Sequence, residues 1–194
     1  MNRNVKETTL KMVFTAFLAA LVVVLQFWGN SFTIGPVNLS FVLIPIALGG
    51  IMLGPIAGGF LGLLFGIITL FTPFAVALME YQGFFTVLVC LLKGMLAGFG
   101  CGIIYMWLEK KNKVVATFAA ASATPIINTG VFVLGSFLLR PAIEQVMGRE
   151  GSGFLLYVLV ALVGINFLAE LAINLVASPA LHKLADLAKK KFLN

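Results

Sequence analysis

The stretch "GINFLAELAIN" sets Asn166, Glu170 and Asn174 four residues apart in a segment otherwise suited to hydrocarbon. That spacing puts all three on nearly one side of a helix. A carboxylate between two amides can balance a cation, titrate, or hydrogen-bond a solute. A cation exists in a second apolar run, Lys93 in "VCLLKGMLAG", with Thr86 on almost the same helical face. A third run carries Asn128, with Thr124 one turn before it and Pro125 between them. Asn128 and Asn166 can each donate and accept, and Lys93 can bind an anionic group.

Other chemistries lack their residues. His182 is the only histidine and Asp186 the only aspartate, and both fall near the basic C-terminal tail. No HExxH, paired catalytic aspartates or GxxxxGK[ST] phosphate loop occurs, so neither catalysis nor a resident cofactor is expected. Cys90 and Cys101 stand eleven residues apart on one run, about 16 Å along a helix and too far for a disulfide. They read as small core residues, and no metal-ligand spacing is present.

The elements that position these groups follow from composition. Of 194 residues, 61% are hydrophobic and 10% charged, so the chain cannot cover a soluble surface. Apolar runs of roughly 20 residues recur along it, each long enough to cross a bilayer as a helix. The expected fold is an all-α integral membrane protein, a single domain over 1–194. Six spans cover about 10–28, 37–53, 55–71, 84–108, 114–139 and 154–181, with Gly54-Pro55 alone joining the second to the third. The first run continues past Leu25 without a small-residue cleavage pattern, so no cleaved signal peptide is expected.

Lysine and arginine orient the bundle. Arg3, Lys6, Lys11, Lys110, Lys111, Lys113, Lys183, Lys189, Lys190 and Lys191 fall on one side, and only Arg140 and Arg149 on the other. Both termini are therefore expected to be cytoplasmic. The net charge of +6 suits a fringe beside anionic lipid and calls for no nucleic acid. The connections 30–36, 72–83 and 140–153 then face outside and read as loops over a mouth.

Depth brings the polar groups together. Lys93 lies about 14 Å, Asn128 about 16 Å and Asn166 about 18 Å below the outer ends of their spans. A lysine at mid-bilayer costs about 2.5 to 3.5 kcal/mol on insertion scales, and snorkelling from that depth is poor, so it needs a partner. Three polar groups converging from three helices suit a solute pocket, with Thr86 and Thr124 beside them. Glu170, a turn deeper, either neutralises Lys93, titrates, or faces another subunit. The competing view is an ion pair and amide links that only hold helices together. Gly58, Gly62 and Gly66, and likewise Gly94, Gly98 and Gly102, recur every fourth residue and predict close helix packing away from Lys93. Phe32, Phe74, Tyr81, Phe84, Phe85, Phe132, Phe137, Phe154 and Tyr157 cluster near the outer mouth, as ring-stacking groups or as an interface belt.

Over essentially its whole length the chain resembles the substrate-binding S component of an energy-coupling-factor (ECF) vitamin transporter. The resemblance rests on "FTAFLAALVVVL", with Ala16 and Ala20 at the separation of the family's alanine motif, on "VNLSFVLIPIALGGIMLGPIAGGFLGLLFG" and its Gly54-Pro55 hairpin, and on "LKGMLAG". It implies a vitamin captured from outside with high affinity in a pocket of spans four to six. It implies docking through Ala16 and Ala20 onto a transmembrane coupling subunit, and release inward by toppling, driven by two ATPase subunits. It also implies a multi-pass protein of a bacterial plasma membrane. Pantothenate is the first candidate, because pantothenate carriers tend to hold a basic residue near Lys93; folate, niacin and biotin are also carboxylates.

Two other classes of function fit parts of the pattern. A solitary proton-coupled transporter or channel would use Glu170 and often shows an inverted repeat, which is not found between 1–100 and 101–194. A structural membrane scaffold would use Lys93 and Glu170 as a brace.

Overall fold

The computed structural model describes residues 3–29, 33–34, 37–38, 41–148, 153–188 and 190. Arg149, Lys189, Lys191 and Phe32 lie outside them, as do the side chains of Arg3 and Lys6. The fold is helical apart from one minimal antiparallel pair. Helix α1 spans Arg3–Gly29 and is followed by β1 (Thr33–Ile34) and β2 (Val37–Asn38), with Ile34 opposite Val37. Then come α2 (Leu43–Leu53), α3 (Pro55–Thr69), α4 (Pro73–Leu108), α5 (Lys113–Leu138), α6 (Arg140–Met147), α7 (Phe154–Tyr157) and α8 (Ile165–Ala188). A π-helical stretch, Val158–Gly164, joins α7 to α8.

Among the described residues, three helices are both long and apolar enough to cross a membrane: Glu7–Gly29, Pro73–Leu108 and Lys113–Leu138. The second and third expected spans are shorter apolar helices of 11 and 15 residues, and α2 begins at Leu43 rather than Val37. They turn about Gly54 alone, whose φ of 96° lies in the left-handed region where a side chain would be strained. Pro55 then starts α3 at the position where its missing N–H costs nothing.

Two of the expected outer loops contain helices. Residues 73–81 form the start of α4, which breaks at Gln82 (φ −141°, ψ 65°) before continuing to Leu108. Thr72 caps this start, its Oγ1 accepting from Ala75 N at 3.4 Å, with Pro73 in the first turn. Residues 140–147 form α6, begun by Pro141 and ended by Gly148 at φ 61°. Both carry ordinary start signals, Thr-Pro and Arg-Pro, that apolar run length overlooks. Helix α5 continues through Pro125, and α4 has a marked break at Gln82.

The glycine stripes meet face to face. Gly58 packs on Gly98, Gly62 on Gly94 and Gly66 on Cys90, so α3 and α4 run antiparallel with their backbones in contact. A methyl group on Gly62 would collide with the Gly94 carbonyl, and one on Gly94 with that of Gly62. Three apolar clusters complete the interior. Leu18, Val22, Ile46, Leu61 and Phe65 join α1, α2 and α3. Ile51, Cys101, Tyr105, Ala120 and Leu181 close the end carrying Lys110. Leu78, Val89, Leu139, Ile143 and Val158 lie toward the end carrying Arg140. Cys90 and Cys101 are both free and buried.

Candidate functional site

Toward the Arg140 end the bundle encloses a cavity of about 250 Å³, walled mainly by α1, α3, α4, α5 and α8. Lys93, Thr86, Asn128, Asn166 and Glu170 all line it. Lys93, Asn128 and Asn166, expected at similar depth, therefore share one cavity. Leu78, Val89 and Leu139 bound it toward the Arg140 end, and Phe65 on the α3 side.

The Lys93 ammonium lies between two aromatic faces. Its Nζ stands 5.3 Å from the Phe65 ring centroid and 5.7 Å from that of Phe132. Each face offers negative quadrupole to a cation, worth about 2 kcal/mol where water is excluded. Rings contribute no proton acceptor of carboxylate strength, so the ammonium remains able to bind an anion. Ion pairs form at Lys11–Glu7, Arg140–Glu144 and Lys190–Asp186. Lys93 meets its two ring faces in the cavity that it shares with Glu170. Glu170 itself is 5% exposed and lines the same cavity.

The amides are the second feature. Asn128 and Asn166 are buried, and the Oδ1 of each has no hydrogen-bond partner. A buried unsatisfied carbonyl costs about 1 to 3 kcal/mol, so such atoms are normally completed by water or ligand. The threonines differ. Thr86 Oγ1 donates to Gln82 O at 2.8 Å, and Thr69 Oγ1 to Phe65 O at 2.8 Å, so their protons are already used locally.

Thr124 is placed elsewhere. It is fully buried, does not line the cavity, and donates to Ala120 O at 3.0 Å within α5. Sharing a helical face with Asn128 is not sharing its depth. Asn174 donates to Glu170 O at 2.9 Å within its own helix.

Other residues lining the cavity are not among those that the sequence singles out, Gln26, Phe65, Thr69 and Phe167 among them. Gln26 reaches it from α1, Phe65 and Thr69 from α3, and Phe167 from α8. Gln26 is the final member of a four-residue repeat, Leu18–Val22–Gln26, that marks the inner face of α1. That repeat was the available signal. Of the aromatics expected at the mouth, Phe74 and Phe132 line the cavity, whereas Tyr81, Phe84 and Phe137 are more than half exposed. Ala16 and Ala20 point away from the cavity, on an exposed side of α1 beside Met12, Val13 and Phe17.

Comparison with known families gives one match. Residues 10–181 match the family described as "ECF transporter, substrate-specific component". No curated protein matches the chain.

Proposed function

The chain belongs to the substrate-specific components of ECF transporters, multi-pass membrane subunits that bind a substrate and work with an ECF module of membrane and ATPase subunits, and from that premise we propose that it captures a small carboxylate-bearing vitamin in the cavity around Lys93. Pantothenate is the first candidate, with folate, niacin and biotin as the others. The observation that carries the reading is a ring-flanked ammonium sharing one cavity with two amide oxygens that lack partners. An anion entering there gains a cation held between two rings, and the two amides complete its remaining polar groups.

In this reading Lys93 binds the carboxylate, Asn128 and Asn166 hydrogen-bond the body of the vitamin, and Glu170 positions the polar network. The bundle crosses the bilayer six times with both termini in the cytoplasm, and the cavity opens outward. Ala16 and Ala20 form the surface that docks on a transmembrane coupling subunit. Two ATPases then drive release inward in the bacterial plasma membrane.

Native mass spectrometry of the purified protein tests this, followed by thermal shift against a panel of water-soluble vitamins. A co-purifying carboxylate that raises the melting temperature in wild type but not in Lys93→Ala is the expected result. If no panel member stabilises the wild type and nothing co-purifies, the vitamin reading is wrong.

A further inference from the structure

A second recognition point lies on the first helix. Gln26 is 5% exposed and lines the cavity, yet among the described residues its amide has no hydrogen-bond partner. The rest of its face is aliphatic, Leu18 and Val22 being sealed against α2 and α3. An amide at the end of such a stripe, open to the cavity and without a bond from the described residues, is completed by whatever fills the cavity. Among the described residues it is also the only polar side chain that α1 gives to the cavity.

We propose that Gln26 is a specificity-determining contact, reading a hydrogen-bonding group of the ligand that lies apart from the group held at Lys93. This rests on the reading of the cavity as a solute site. The two points lie on different helices, Gln26 on α1 and Lys93 on α4, and Phe65 of α3 lines the same cavity with its ring against the ammonium. The cavity therefore selects molecules with polarity at two places: an anionic end, and a carbonyl, hydroxyl or ring nitrogen that an amide can donate to or accept from. A plain fatty acid satisfies only the first.

The contact also ties the ligand to α1. Ala16 and Ala20 lie roughly 80 to 120° around the helix from Gln26, on a side left exposed among the described residues. A ligand bonded to Gln26 thus touches the helix that presents that surface.

The test uses full-length protein in nanodiscs and two readouts. In the first, Gln26→Cys is labelled with an anionic methanethiosulfonate reagent in a Cys90→Ser background, against Val22→Cys as the sealed neighbour. Labelling at position 26 well above that at 22 is expected, and equal rates would show that Gln26 does not face an accessible cavity. In the second, affinities of pantothenate, biotin, nicotinate and folate are measured for wild type and Gln26→Leu. The variant is expected to bind the preferred vitamin about tenfold more weakly, while its melting temperature without ligand is unchanged or higher. Undiminished affinity in Gln26→Leu overturns the contact and leaves the vitamin reading standing. Failure of all four vitamins to bind wild type removes both.

Discussion

Helix α4 has two faces built on opposite rules. Toward α3 it presents Gly94, Gly98 and Cys90, and the partner backbone fills every available space. On its cavity face it presents Lys93 and Thr86, and space is left open. The glycine face removes side chains so that two helices touch. The lysine face keeps a charged side chain between the Phe65 and Phe132 rings, in the cavity it shares with Glu170. A cavity persists in a close-packed bundle only if the surrounding contacts cannot collapse into it, and the rigid seam behind α4 supplies that resistance.

Breaking the seam should have the largest effect. Gly94→Val forces a branched side chain into the Gly62 backbone, where neither helix can yield without separating. Overpacking of this kind costs about 1 to 3 kcal/mol where neighbours can shift, and more here. Loss of the monodisperse peak in size-exclusion chromatography is expected, and a normally folded variant would contradict the seam. Next comes the outer side of α1, which has small residues but no seam. Replacing Ala16 and Ala20 with Trp should leave folding and vitamin binding unchanged and abolish uptake in cells; loss of binding as well would argue against a docking surface. The smallest effect is expected from Asn166→Leu, which removes one amide from the cavity. Affinity should fall about tenfold, equivalent to about 1.4 kcal/mol, and unaltered titration calorimetry would remove Asn166 from the site.

The sequence carried the interior better than the edges. Glycine spacing announced the α3–α4 contact, because small residues at every fourth position have few other uses in a membrane helix. Counting residues down each span brought Lys93, Asn128 and Asn166 into one cavity, because helical rise is nearly constant. Thr124 was misplaced by treating one face as one depth. Residues 73–81 and 140–147 were taken as loops because both are short and less uniformly apolar, though their proline starts were readable. Gln26 was passed over because a single amide near the end of a long apolar helix has no periodic signal until the direction of Leu18 and Val22 is known. The pairing of Lys93 with ring faces could not be read at all, since Phe65 and Phe132 come from separate helices and apolar composition supplies phenylalanines everywhere.

The brevity of α2 and α3 has a consequence for the lipid. Eleven and fifteen residues reach about 17 and 23 Å, against a hydrocarbon core of about 30 Å. Helix α2 has no exposed residue, whereas α3 exposes Ile56, Phe60 and Ile67, so in the proposed six-span arrangement the bilayer thins beside α3. The annulus is then uneven, depressed on the α3 side and full-depth beside α1 and α5. Such lopsided support weakens the preference of a membrane protein for one upright orientation. Release by toppling, as the family resemblance implies, would meet less elastic resistance on the side where the lipid is already compressed.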